Sequence, residues 1–180
     1  MKFSSTIAIA ILLASTTSAC AQAPVKAEAG DYVWYDGGKR REIHIDDALV
    51  AEFDGASDPA ATPVMRSNGV RVWRRQDAAA TRAVAAGKTS PVFRDSAGGA
   101  MRALPGNVIV RLDPAWDAAR IREWLAASGL TELRRLPIGG NVLVVASPPG
   151  LAALDLANRL QLSGTVVSAQ PEWWEQRSPR

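Results

Sequence analysis

His44 is the only histidine in the chain, and it lies in an alternating stretch beside Asp46 and Asp47. One imidazole with two neighbouring carboxylates falls short of the ligand set of a zinc site, so the group reads as part of a strand. The pairs Asp46 and Asp47, and Glu172 and Glu175, have the residue type for acid–base work. Nothing near them in sequence builds the apolar pocket that would separate their pKa values, and they read as surface charges. Gly87-Lys88-Thr89 lacks the upstream glycine spacing and preceding strand of a phosphate-binding loop, and neither Gly-x-Ser-x-Gly nor His-Glu-x-x-His occurs. Cys20 is the only cysteine, which excludes an internal disulfide. The expectation is a protein that is not an enzyme and holds no cofactor and no metal.

Charge excludes another class. The 21 Lys and Arg against 18 Asp and Glu give a formal net charge of +3. Arg40-Arg41, Arg74-Arg75 and Arg134-Arg135 are scattered pairs, not a basic stripe, so they read as solvated faces and nucleic acid is not an expected partner.

The first 21 residues have the layout of a secretory leader: Met1-Lys2, an apolar run from Ile7 to Ala14, then small residues from Ser15 to Ala23. The apolar run is too short for a permanent membrane helix. The mature protein is expected to be exported, to the periplasm or the extracellular space. Cys20 after Thr17-Ser18-Ala19 is similar to a lipoprotein acceptor site, with Thr17 where a branched aliphatic residue is usual. Two outcomes stay open: a lipid anchor at Cys20 on the outer membrane, or removal of Cys20 with the leader.

After the leader, the length suits two small units. Residues 31–105 read as a small β-rich unit. Tyr32 to Tyr35 and Arg41 to Ile45 flank the turn Asp36-Gly37-Gly38, and Leu49 to Phe53 and Val70 to Trp73 alternate as strands on either side of a loop from Asp54 to Asn68. A short helix fits Ala78 to Ala86, a strand Pro91 to Phe93, and Leu104-Pro105-Gly106 the joint to the second unit.

Residues 106–171 read as strand, helix, strand, strand, helix, strand. Asn107 to Leu112 is a β-branched run, and Asp113-Pro114 is placed to cap and open a helix. Ala118, Ile121, Trp124 and Leu125 recur at helical spacing until Gly129 offers a left-handed stop; Trp116 and Trp124 read as core. Leu130 to Ile138 is a weaker strand, Gly139-Gly140-Asn141 a turn, and Val142 to Ala146 a strand apolar on both faces. Ser147-Pro148-Pro149-Gly150 opens a second helix with Ala153, Leu156, Ala157 and Leu160 on one side, and Thr165 to Ala169 is the last strand. Right-handed crossovers then give an α+β, ferredoxin-like βαββαβ fold, an antiparallel sheet with two helices on one face. The other face, with Val142, Val144, Ala146, Val166 and Ser168, is expected to be open and to form an interface.

Taken together, the Val-Ile-Val-Arg strand, the helix ending Leu125-Ala126-Ala127-Ser128-Gly129-Leu130, the apolar hairpin, the second helix and the closing Val166-Val167-Ser168-Ala169-Gln170-Pro171-Glu172 resemble the propeptide of subtilisin-type serine proteases. Gln170 stands where such propeptides commonly carry Glu. Tyr32 to Lys39 and Pro91 to Phe93 resemble the additional prosegment found before such modules. With no protease domain after it in the sequence, the resemblance implies an external chaperone that assists a secreted subtilisin-type protease in trans and inhibits it.

The resemblance also implies that residues 172–180, Glu172, Trp173, Trp174, Glu175, Gln176, Arg177, Ser178, Pro179 and Arg180, run out as an extended tail into the protease cleft. Arg177 and Arg180 match the Arg-x-x-Arg pattern of kexin- and furin-like subtilases. Trp173 and Trp174 have two readings, anchors on the protease or a plug on the domain's own core, and adjacent residues of an extended chain point opposite ways. The alternative function is an envelope lipoprotein that binds glycan or a protein through tryptophans such as Trp34 and Trp73.

Overall fold

The computed structural model describes residues 31–55 and 61–176. The leader, Cys20 and the last four residues, Arg177 to Arg180, lie outside them. Among the described residues the chain is α+β, with two antiparallel sheets and three helices.

The first sheet begins with β1 (Asp31–Asp36) and β2 (Lys39–Phe53), joined at Gly37-Gly38, whose φ values of 54° and 85° only glycine adopts without strain. Sequence reading expected two strands where β2 runs on for 15 residues. On one edge its first half pairs with β1 and its second with β4 (Val70–Arg74), while the other edge pairs along both halves with the strand Thr89–Arg94, with a register shift between Asp46 and Val50. β3 (Met65–Ser67), which sequence reading left inside a loop, pairs with β4 through the turn Asn68-Gly69. The helix α1 (Ala78–Ala85) comes next, then β5 (Thr89–Arg94) and β6 (Met101–Ala103).

The second sheet is built from β7 (Val108–Leu112), α2 (Ala118–Ala127), β8 (Glu132–Arg135), β9 (Asn141–Val145), α3 (Leu151–Leu162) and β10 (Ser168–Pro171). Its strand order is β10-β7-β9-β8, antiparallel throughout. The α2 cap differs from expectation. Asp117, not Asp113, caps it, accepting from the Arg120 amide at 2.8 Å. Asp113 instead accepts from the Ala115 amide at 2.8 Å and closes the preceding turn, which Asn141 Nδ2 pins by donating to the Asp113 and Trp116 carbonyls. Gly129 does end the helix, with φ 63° and the Leu130 amide returning to the Leu125 carbonyl. The last strand starts three residues later than expected, because Ser163 and Thr165 hydrogen-bond each other and hold the chain in a turn first.

One core cluster joins both helices to one face of this sheet: Val108, Val110, Leu112, Leu143 and Val145 meet Ile121 and Leu125 of α2, Ala157 and Leu160 of α3, and Val166 and Ala169. Trp116 and Trp124 pack edge-on against each other at its margin, half-buried as core reading expected. The helix α3 serves two cores. Its Ala153 and Leu154 turn to Tyr32, Trp34, Ile43 and Phe93 of the first sheet, and buried Asn158 donates to the Val33 carbonyl at 2.7 Å. The two halves therefore share a helix and its apolar surface, with β1 packed on α3 and β10.

The chain then returns to the first sheet. β11 (Trp174–Glu175) pairs antiparallel with β6, Trp174 opposite Ala103 and Glu175 opposite Arg102, giving the order β11-β6-β5-β2-β4-β3.

Candidate interaction surface

The face of the second sheet away from α2 and α3 can be read from cross-strand register, since residues opposite one another share a face. Ser168, Arg111 and Val142 form one row; Gln170, Ile109, Val144 and Arg134 form the next. Val142 and Val144 belong to none of the apolar clusters of the molecule. The helices α2 and α3 pack on the opposite side.

The expected docking residues divide on inspection. Val142 and Val144 lie on the open face, as alternation required, yet each is only 1% exposed. Buried to that extent, they are not themselves a contact surface. Arg134, opposite Val144 on the edge strand, crosses the sheet and donates to Glu172 Oε1 at 2.5 Å. Glu172 Oε2 in turn accepts from Asn107 Nδ2 at 3.2 Å, and its amide donates to the Asn107 carbonyl. The pair ties one edge of the sheet to the other. Val166 is a correction: it packs into the helix-side core and takes no part in the open face. Ala146 is exposed and Ser168 half-exposed at the ends of their strands.

The C-terminal segment is a second correction. Sequence reading ran Glu172 to Arg180 out as a free tail, but through Gln176 it is an edge strand of the protein's own sheet. Trp174 is buried against Leu49, Phe53, Val92 and Met101. Trp173 points the other way and packs edge-on against Trp34 at 5.3 Å and Phe93 at 5.4 Å. The plug reading of the two tryptophans is the one the fold uses through both rings. The Gln176 amide reaches the Met101 carbonyl at 2.8 Å, and its side chain accepts from the Met101 amide. Glu175 meets Arg102 at 3.3 Å.

Between this segment, β1 and the rim of the open face lies a cleft of about 760 Å³, lined by Trp34, Arg102, Gln170, Glu172, Trp173 and Glu175 among others. Its carboxylates already have partners. Arg41 binds Asp36, Arg40 binds Glu42, Arg102 binds Asp95 and Glu175, and Arg134 binds Glu172.

The residues that first suggested chemistry stay apart. His44 Nδ1 contacts Asp31 across the β1–β2 pair, and Asp46 binds Arg94 Nε at 2.8 Å. Glu172 and Glu175 go to different arginines. Among the described residues no group of three or more His, Cys, Asp or Glu is placed to hold a metal. None of their helices is long and apolar enough to cross a membrane. On α3, burial raises the pKa of the Asp155 carboxyl, and Arg159 partly opposes the rise.

What sequence reading missed is the arginines. Arg111 is exposed near the middle of the open face, and no carboxylate pairs with it among the described residues. Its signal was present as one cation inside a β-branched strand, but only the register places it beside Arg134.

In comparison with known proteins, no family model matches this chain, and no curated protein or solved structure matches it.

Proposed function

We propose that this chain is an exported binding protein of the subtilase-propeptide kind, which assists folding of a separately supplied subtilisin-type protease and inhibits it. On this reading residues 106–171 form a ferredoxin-like module. The supporting observation is the sheet ordered β10-β7-β9-β8, with both helices packed on one side and neither on the other. A partner docks on that other side.

The packed β11 changes how the inhibitory arm works. Residues up to Gln176 remain on β6, so only Arg177, Ser178, Pro179 and Arg180 enter the protease cleft. Four extended residues reach about 13 Å, a length that fills about four substrate subsites. Arg177 and Arg180 occupy the two basic places of a kexin-like cleft. Of the rings named for the glycan-binding alternative, Trp34 and Trp73 are 8% and 3% exposed, which favours the propeptide reading over it.

The test is to refold a candidate secreted subtilase with and without this protein and assay peptide hydrolysis. Faster recovery and then inhibition are expected, and deleting residues 177–180 should weaken inhibition more than about tenfold without changing thermal stability. Unchanged inhibition by the deleted form rejects the cleft model. No effect on any subtilase rejects the function.

A further inference from the structure

The uncovered face has a chemistry of its own. Its floor, Val142 and Val144, is buried, and away from the exposed strand end at Ala146 the exposed side chains placed on it by register are those of Arg111 and Arg134. Arg111 sits on the inner strand β7 opposite Val142 and Ser168, and Arg134 sits on the edge strand β8 opposite Val144. Two strand spacings across and two residues along place their backbones about 12 Å apart. The long apolar stems of such side chains can cover the valines while their heads stay in water.

An arginine unpaired near the middle of an otherwise closed sheet face is a poor stabiliser, since it forms no ion pair and orders a long side chain for nothing. Arginine is, however, the side chain that grips carboxylates through two parallel N–H donors, and it is enriched among the residues that dominate interfaces. We infer that this face is an arginine-presenting docking surface, and that its partner is a protein surface bearing carboxylates spaced to meet Arg111 and Arg134. The inference rests on the propeptide reading only for the name of that partner. Arg134 already holds Glu172, so docking exchanges one carboxylate for another at this position, whereas Arg111 gains its first.

Two guanidinium heads carried on strands, with backbones about 12 Å apart, offer two separate bidentate sites and not a continuous basic track. That suits carboxylates of a polypeptide better than the closely spaced phosphates of a nucleic acid. Beyond Ile109 and Gln170 the face gives way to the cleft, whose carboxylates are already held by arginines.

The experiment uses the full chain with Arg111→Glu, Arg134→Glu and, as a control of equal charge change, Arg66→Glu on the exposed edge strand β3. Circular dichroism verifies folding of each. Two probes are titrated, mature subtilisin and poly-L-glutamate, with single-stranded DNA as a third ligand. Arg111→Glu and Arg134→Glu should each weaken binding of both polypeptide probes at least tenfold, and binding by the parent should fall as salt rises; Arg66→Glu should leave it within about twofold. Binding of poly-L-glutamate that needs Arg111, together with no binding of subtilisin, upholds the surface and rejects the protease reading. Equal losses in all three variants, no loss in any, no binding of poly-L-glutamate, or tighter Arg111-dependent binding of DNA overturns the inference. If Arg111→Glu misfolds, Arg111→Gln is read in its place.

Discussion

Replacing Trp174 with alanine tests whether the C-terminal segment belongs to the fold or to a partner. A tryptophan side chain carries about 200 Å² of surface, and Trp174 is 9% exposed, so β11 buries most of it against the first-sheet core. At about 25 cal/mol per Å², the burial is worth up to about 5 kcal/mol, less about a third for compactness of the denatured chain. One term works against it. The indole Nε1 is buried without a hydrogen-bond partner, and removing it recovers about 1 kcal/mol. A net loss of about 2 kcal/mol is expected, before any cavity left behind adds to it, equivalent to a fall of about 7 °C in melting temperature. Trp174→Phe keeps most of the ring, drops the orphaned donor, and should stay within about 1.5 kcal/mol of the parent. Urea unfolding monitored by circular dichroism measures both. A loss below about 1 kcal/mol for Trp174→Ala would mean that the ring contributes little to the core and that the free-arm expectation was sound.

Three further perturbations probe other parts of the molecule. Glu52→Ala removes the acceptor of both Arg71 Nε at 3.0 Å and Trp73 Nε1 at 2.8 Å in a nearly buried network, and should cost about 3 kcal/mol by urea unfolding; a loss under about 1 kcal/mol would show that the network is replaceable. The carboxyl of Asp155 titrates higher folded than unfolded, so the folded state takes up its proton more readily: stability from this site falls as pH rises above 3.8 and through the raised value. Asp155→Asn should therefore be more stable than the parent at pH 7 and converge with it below pH 3, and a parallel pair of stability curves would contradict the assignment. At Gly106, φ is 108° and a methyl group would stand 2.5 Å from the Ser147 carbonyl oxygen, so Gly106→Ala should cost about 2 kcal/mol, read as a drop in melting temperature; no drop would show that this joint can shift freely.

Local signals carried much of the fold. The turns at Gly37-Gly38 and Gly139-Gly140, the stop at Gly129 and the alternation of Val142 to Val145 are written in residue types whose backbone and burial preferences act over a few positions. They were legible because nothing distant opposes them. The cap at Asp113 misled, since two aspartates four residues apart are equally suited to a cap, and Asn141, 28 residues on, holds the first in the preceding turn.

The surface, in contrast, was decided by partners far apart in sequence. Glu172 joins Arg134 across 38 positions, Gln176 joins Met101 across 75, and Asn158 joins Val33 across 125. No periodicity encodes such pairings, because a polar or charged residue at a strand end reads the same whether it meets water or a distant strand. The residue types alone determined that the chain alternates as antiparallel sheet with amphipathic helices and lacks the familiar catalytic motifs. Only tertiary packing decided that Trp173 and Trp174 face the protein's own core, that Val142 and Val144 are buried, and that Arg111 and Arg134 share their face of the sheet, since burial is a property of what surrounds a side chain and not of the side chain itself.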